Sequence, residues 1–564
     1  MCGLFGQLGS PLSESRQRAV LQALQGRGPD GHGQHLEPLG QGDTPWLSLL
    51  HTRLAIQDLS PLGHQPMASP EGDLWVVFNG EIYNQWQLRQ ELQHLGVRFR
   101  SGSDTEVLLY GYRHWGQALW GRLNGIFAVA LWDRPRGQLS LARDSCGVKP
   151  LLWQRGAAGL AFASELSAFE AAGLASRRQL CAEGLRSYAL WGAVAAPHTL
   201  LEGVEVFPAG HYAVIHAAHG NTQATGKVPA LQDPQPFEAP LGPPRPLGDL
   251  LTQAVARQAI GDRPVGLFLS GGLDSGLLAA LLRGQRQGPI HSLAVGFDGL
   301  PGAVDETDRA ALTAAHLGLL HQRVLITANE LQAGFDPFLE AIDQPSIDGF
   351  NSFLVTQAAR ASAMVVAFSG LGADELFYGY SPMAWRSPRR RLACRRIVAS
   401  GLAPWTKRRL LAERARRCAG GVALAEECQG YLQDTLLRDS DAVTMAQGLE
   451  LRVPFLDPDL VAFARRHSAA EHLAAGPKTL LRQQAQALVP AEILRGPKRG
   501  FNLPLAPWLN SDPRFDPRRL MGRLGPLGIP AQAIWRSWNL MQLTPRRWAP
   551  YWRWVVLSEW LEQV

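Results

Sequence analysis

Apolar and polar positions follow two different rhythms along the chain. Up to about residue 215, short apolar runs recur between Gly, Pro and Asn turns, at 47–50, 74–78, 127–132, 139–142, 160–163 and 212–215. Short runs bounded by turn formers predict strands. Helical spacing appears at about 14–25, 85–95 and 104–116. Closely spaced strands with few helices predict an α+β layered domain dominated by sheet. Residues 216–246 are rich in Ala, Pro and Gln and end Pro-Leu-Gly-Pro-Pro-Arg-Pro, which predicts a linker.

From about residue 247 the rhythm changes. An apolar strand at 265–269 leads into a glycine turn at 270–275 and a helix start at 276–283. Strand and helix candidates then alternate: 292–296, 305–317, 322–326, 351–362 and 365–369. That alternation implies a parallel sheet covered by helices on both faces. After 380 the chain reads as helix-rich, and no internal repeat is found. The expected division is 2–215, a linker at 216–246, and 247–564.

Composition adds bounds. The chain has 564 residues, 46% hydrophobic and 18% charged, which excludes a disordered or collagen-like chain. A net charge of +6 and a pI near 9.1 raise the question of nucleic acid. The excess is local: residues 386–417 alone carry net +11, so the other 532 residues sum to −5. That segment is read as a solvated helical insert, with no nucleic-acid partner expected. Lysine occurs only at 149, 227, 407, 478 and 498, leaving 50 of 55 cations as arginine. Each lysine therefore calls for explanation, because ammonium and guanidinium differ in chemistry. Six dispersed cysteines without a C-x-x-C pair suit a reducing compartment. With no signal-peptide pattern at the start and no apolar run of about 18 residues, a cytoplasmic protein without a membrane span is expected.

Candidate chemistry begins at Cys2, directly after Met1. Removal of Met1 would give Cys2 a free α-amine with a pKa of about 7.7–8, able to act as a base for its own thiol. Alone, a cysteine at position 2 is usually just a residue. Here Cys-Gly-Leu-Phe-Gly is followed by Arg27-Gly-Pro-Asp30-Gly, His51-Thr-Arg53-Leu, Phe78-Asn79-Gly80-Glu81-Ile-Tyr-Asn and Ser101-Gly-Ser-Asp104-Thr-Glu. In this order the strings resemble the class II glutamine amidotransferase domain, an N-terminal-nucleophile fold of four layers. The resemblance continues through Arg143-Asp144, Gly147-Val-Lys149-Pro and Ala163-Ser-Glu165. It implies Cys2 as nucleophile and Asn79 with Gly80 as oxyanion donors. It also implies that Arg53, Glu81 and Asp104, with Asn79 and Gly80, bind glutamine, the guanidinium taking the α-carboxylate and the carboxylate the α-ammonium.

A second site lies at Leu269-Ser270-Gly271-Gly272-Leu-Asp274-Ser275, between an apolar strand and a helix. Glycines and serines at a helix N-terminus offer N–H groups to phosphate, though a bare glycine turn is often only a connection. The whole string SGGLDS resembles the fingerprint of ATP pyrophosphatases and differs from the GxxxxGK[ST] phosphate loop. Ser369-Gly370-Leu371-Gly-Ala-Asp374-Glu375, Asp441 to Asp457, Lys478-Thr-Leu-Leu-Arg and Lys498-Arg-Gly-Phe extend the likeness. Across nearly its whole length the chain resembles the glutamine-hydrolysing asparagine synthetase family. The implied fold is an α/β parallel-sheet ATP-pyrophosphatase domain with a helical C-terminal part. The resemblance implies ATP held by Leu269, Ser270, Gly271, Gly272, Asp274, Ser275, Val295, Ser369 and Gly370. It further implies Mg²⁺ on Asp274 and Asp374, and Lys478 offsetting charge in adenylation.

One position departs from the pattern. The family commonly carries Glu where this chain has Leu371, and leucine has neither charge nor hydrogen bond. Either another group serves, with Glu375 near in sequence, or the acceptor is not aspartate. The expected reaction takes aspartate, glutamine and ATP to asparagine, glutamate, AMP and pyrophosphate. The alternative is the same machinery on another carboxylate, a sugar acid or a peptide. A nucleic-acid-modifying pyrophosphatase and a catalytically dead paralogue stand behind these, the latter disfavoured by intact Cys2, Arg53, Asn79 and Asp104. A homodimer is compatible with the resemblance, and an internal ammonia tunnel lined by apolar and small residues is expected.

Overall fold

The computed structural model describes residues 2–40, 45–156, 159–217, 230–231, 233–298, 306–380, 383, 427–496 and 503–563. The basic segment 386–417, the Lys498-Arg-Gly-Phe string, and Lys227, Lys407, Cys394 and Cys418 lie outside these residues. In chain order the first strands are β1 (Cys2–Gly9), β2 (Gly31–Pro38), β3 (Trp46–Arg53), β4 (Met67–Ala68), β5 (Leu74–Ile82) and β6 (Gly125–Asp133). Then come β7 (Gln138–Arg143), β8 (Leu152–Gly156), β9 (Gly159–Ala163), β10 (Val204–Val206), β11 (His211–His216), β12 (Ala230–Leu231) and β13 (Gln235–Pro236). They form two antiparallel sheets, ordered β10-β8-β9-β1-β3-β2 and β12-β11-β7-β6-β5-β4, with β13 also on β11. Part of the expected linker is thus sheet.

Period-two alternation explains the stacking. Leu4 and Leu8 of β1 face Val77, Ala130 and Leu141 of the other sheet in one core. Phe5 faces the opposite way, onto the helices Glu14–Ala23 and Leu166–Ala171. On β5, Leu74, Val76 and Phe78 point away from the sandwich, against Leu88 and Leu92 of helix Gln85–His94 and Leu108 of helix Thr105–Trp115. The result is helix, sheet, sheet, helix: the four-layer N-terminal-nucleophile arrangement.

The third sheet contains β14 (Val265–Phe268), β15 (His291–Phe297), β16 (Leu320–Ile326), β17 (Val366–Phe368) and β18 (Glu450–Arg452), all parallel, in the order β16-β15-β14-β17-β18. The chain leaves β14 toward β15 on one side and returns through β17 on the other. Ligand crevices in such sheets open where the order switches, at the carboxyl ends of the strands. Here the loops after β14 and β17 meet. The helix after β14 spans Leu273–Gln285 and is capped by Gly272, so it starts three residues before the expected 276. Asp274 and Ser275 therefore sit in the first helical turn, where acidic and small polar side chains suit exposed N–H groups.

The two halves share cores. Leu54, Ile56 and Tyr83 pack with Leu267, Leu277 and Phe455. Tyr188 O–H donates to Arg553 O at 2.6 Å, and Arg553 Nη1 donates to Ala189 O at 2.7 Å.

Candidate active sites

Cys2 opens β1 and pairs in register with Arg53, the last residue of β3. Antiparallel pairing therefore places the thiol residue and the guanidinium residue side by side. Cys2, Arg53, Gly80, Glu81 and Asp104 line one cavity of about 30 Å³ with Gln65. Asn79 adjoins it from β5: its Oδ1 accepts from Cys2 N at 3.0 Å. The other end of the amide, Nδ2, is buried with no hydrogen-bond partner among the described residues. An orphaned buried donor costs on the order of 1–3 kcal/mol unless something completes it. Beside a thiol, an oxyanion is the ligand that would. At Gly80 the backbone runs so close to β6 that a Cβ would lie 2.0 Å from Ile126 O.

Arg53, Asp104 and Glu81 are held by their surroundings. Arg53 Nη1 donates to Ser60 O at 2.8 Å, and Nη2 donates to Asp58 O. Asp104 Oδ2 accepts from Ile82 N at 2.8 Å, and burial raises this carboxyl to about 6. Glu81 accepts from Gln57 Nε2, and its pKa is pushed upward by burial and then by the neighbouring Glu450. Beneath the pocket, the His51 imidazole bonds Phe78 O at 3.2 Å, and burial lowers it to about 3, so it is neutral.

At the second site, Ser270 N donates to Ser275 Oγ at 3.2 Å, and the two hydroxyls lie 3.0 Å apart. These bonds curl the loop over the helix N-terminus, where Gly272 provides no side-chain cap. Lys478 Nζ sits between two carboxylates, bonded to Asp274 Oδ2 and 2.6 Å from Asp374 Oδ1. Burial pulls this ammonium down, but Asp274 and then Asp374 outweigh it and leave its pKa raised. The carboxylates from the two loops thus converge on one cation, an arrangement a hard divalent ion also accepts. No group of three or more His, Cys, Asp or Glu side chains placed to hold a metal ion occurs among the described residues. Gly370 lies against Asp274, Leu269 N donates to Leu293 O at 2.8 Å, and Val295 follows two residues later on β15.

Reasoning from sequence missed Gly379. A Cβ there would lie 1.8 Å from Asp374 Oδ1 and 2.3 Å from Lys478 Cε, so a side chain at this position would displace the ion pair. Leu371 packs against the parallel-sheet core. Glu375 is buried and accepts from Tyr380 O–H at 2.6 Å.

Between the sites the interface beside Cys2 is charged. Arg27 Nε donates to Cys2 O at 3.2 Å, while its Nη1 and Nη2 reach Glu165 at 2.7 Å and Asp441 at 2.6 Å. Lys149 Nζ lies 2.7 Å from the other Asp441 oxygen. Asp441 comes from the second half of the chain, so the buried charge of Arg27 and Lys149 is neutralised across the halves. A cavity of about 770 Å³ also lies between the halves, with Arg143, Asp343, Asp434 and Arg438 in its wall but neither Cys2 nor Asp274.

Known proteins resemble the chain in both halves. The family model of the glutamine amidotransferase domain matches residues 1–225, and that of asparagine synthase matches residues 247–562. A Mycobacterium tuberculosis protein named "Putative asparagine synthetase", glutamine-hydrolyzing, is 32% identical over 593 residues, covering 91% of this chain and 89% of its own. A glutamine-hydrolyzing asparagine synthetase of Bacillus subtilis strain 168, numbered 1, is 29% identical, covering 91% and 88%. The amidase chry2 of Gibberella zeae is 30% identical over 412 residues, covering 67% and 59%. With a glutamine amidotransferase domain followed by a synthase domain that uses ATP, the chain belongs to the asparagine synthase family and is a glutamine-dependent, amide-forming ligase.

Proposed function

We propose that the chain makes asparagine from aspartate. In the N-terminal part, 2–215, Cys2 attacks the amide carbon of glutamine, its own α-amine serving as base once Met1 is removed. Asn79 Nδ2 and Gly80 N–H stabilise the oxyanion, Arg53 holds the α-carboxylate, and Asp104 with Glu81 holds the α-ammonium. Water then releases glutamate, and ammonia passes on. In residues 247–564, beyond the linker at 216–246, the acceptor carboxylate attacks the α-phosphorus of ATP, forming an acyl-adenylate and pyrophosphate. Ammonia displaces AMP and loses a proton, giving the amide.

Ser270, Gly271, Gly272 and Ser275 cradle phosphates, while Leu269, Val295, Ser369 and Gly370 border the nucleotide. Asp274 and Asp374 would hold Mg²⁺, which would screen phosphate charge when bound. Lys478 offsets negative charge as pyrophosphate leaves. Cys2, Cys146, Cys181 and Cys428 are free thiols, which suits the cytoplasm. Among the described residues no helix is long and apolar enough to cross a membrane.

The observation that carries the reading is the Lys478 ammonium between Asp274 and Asp374 at the meeting of the two loops. ATP–pyrophosphate exchange with a panel of carboxylates, aspartate first, tests it. Exchange with aspartate supports asparagine synthesis. Exchange with another acid and none with aspartate supports the second reading, a different carboxylate, which apolar Leu371 and the turn of Glu375 toward Tyr380 favour. No exchange with any acid refutes both.

A further inference from the structure

The last two long helices, Ala531–Leu543 and Ala549–Glu562, form a hairpin. Ala533, Ile534 and Met541 of the first lie in one core with Trp552, Val556 and Trp560 of the second. At about 100° per residue, the exposed positions of the first helix, Trp535, Arg536, Asn539, Gln542 and Leu543 among them, fall within one arc of about 140°. Six consecutive residues at the tip, from Gln542 to Arg547, are all exposed. Leu543 is 83% exposed, the highest value among the large exposed apolar side chains. Trp535 stands about 12 Å back along the same helix face.

A lone exposed leucine is ordinary on a protein surface. The charge around this one is not. Residues 517–558 hold seven arginines and no lysine, aspartate or glutamate. Arg523 is taken by Glu559 and Glu562, and Arg553 is buried. Arg536, Arg546 and Arg547 flank the apolar pair and have no ion-pair partner among the described residues. None of the residues given a role at either reaction site lies in 531–548, so catalysis does not account for this surface.

Whatever fits it must offer negative charge at several points and, directly beneath, an apolar layer. Anionic lipid headgroups offer both. Guanidinium groups pair with lipid phosphates, an indole settles at the level of the headgroups, and an aliphatic tip reaches the acyl boundary. A nucleic acid would accept the arginines and stack on the tryptophan, but it has no apolar layer for a protruding leucine. Docking of this kind needs no spanning segment, and among the described residues no helix is long and apolar enough to be one.

We propose that the hairpin tip and the outward face of helix Ala531–Leu543 dock the protein reversibly on a bilayer surface that carries anionic lipids. Leu543 and Trp535 enter the boundary between headgroups and acyl chains, and Arg536, Arg546 and Arg547 lie on the phosphates. The docking is independent of glutamine use and of the acceptor, so its failure would leave the proposed reaction untouched.

Co-sedimentation of the full-length chain with vesicles tests it, using phosphatidylcholine alone and phosphatidylcholine mixed with phosphatidylglycerol. The native chain should partition to the mixed vesicles at least about tenfold more strongly, and high salt should weaken this. Replacing Arg546 and Arg547 together by alanine should weaken it about 25-fold, at about fivefold for each charge. The double change to lysine keeps the charge and should bind within about twofold of native. Leu543→Ser should cost about tenfold. Glutamate release by every variant should stay within about twofold of native, because exposed substitutions leave the fold intact. No binding by the native chain, or equal binding to both vesicles, overturns the proposal. So does native binding by the double alanine variant, which would move the contact elsewhere, the basic stretch 386–417 first. Native binding by Leu543→Ser, or retention by a single-stranded oligonucleotide in place of vesicles, overturns it as well.

Discussion

Replacing Asp441 by alanine should loosen the join between the halves by a calculable amount. Its two oxygens bond Arg27 Nη2 at 2.6 Å and Lys149 Nζ at 2.7 Å, and all three side chains are almost fully buried. After the change Arg27 keeps Glu165 at 2.7 Å and the carbonyl of Cys2. Lys149 is left as a buried ammonium without that carboxylate. Breaking one side of such a pair costs about 3–5 kcal/mol, because a desolvated charge remains. For a chain of 564 residues unfolding as one unit, that lowers the midpoint by about 3–4 °C. Scanning calorimetry measures it. The double variant Asp441→Ala with Lys149→Met removes both charges and should recover most of the loss, since replacing a pair by apolar groups is often neutral. Protonation supplies a second check. Burial pushes the Asp441 carboxyl up, but Arg27 and then Lys149 outweigh it and hold it below the usual range. A folded-state value below the unfolded one contributes stability above about pH 4 and loses it as pH falls. The gap between native chain and variant should therefore be full at pH 7 and close in acid. A loss under about 1 kcal/mol, or a double variant worse than the single, refutes the reasoning.

Three further outcomes follow from the sites. Cys2→Ala should abolish synthesis from glutamine and preserve synthesis from ammonium salts; equal loss of both would sink the two-site mechanism. Lys478→Met should cut ammonia-dependent pyrophosphate release about a hundred- to a thousandfold while leaving glutamate release intact, and a loss under about tenfold refutes its role. Burial raises Asp104 to about 6, so the glutamine KM should be lowest above that pH and rise about tenfold per unit below it. Asp104→Asn should bind glutamine poorly at every pH, and a flat native profile between pH 5 and 7 contradicts the assignment.

Much of this was legible from spacing because the relevant residues keep local company. β6 and β7 read as short apolar runs bounded by turn formers, with β6 apolar on both faces, and the structure lengthens them by only a residue or two at each end. β1 was not legible. Its glycines suggest a turn, yet Gly6 lies under the Phe162 ring, where a Cβ would come within 2.0 Å. Small residues there reflect a partner about 155 positions away, which no local pattern reports. Among the scarce lysines, Lys478 lies between Asp274 and Asp374, while Lys149 serves a buried ion pair with Asp441. Arg452, 3.7 Å from Glu81, and Gly379 carry no periodic signal because their contacts form only when distant loops meet.

The pairing of Arg27 and Lys149 with Asp441, and of Glu81 with Arg452, bears on recombination. A chimera that joined this amidotransferase part to a relative's synthase part would inherit buried charges on one side of the seam and a stranger's side chains on the other. Only crossovers that carry both members of each pair would leave the seam neutral. Gene fragments from this family should therefore exchange along charge-matched boundaries, whatever the length of the linker between them.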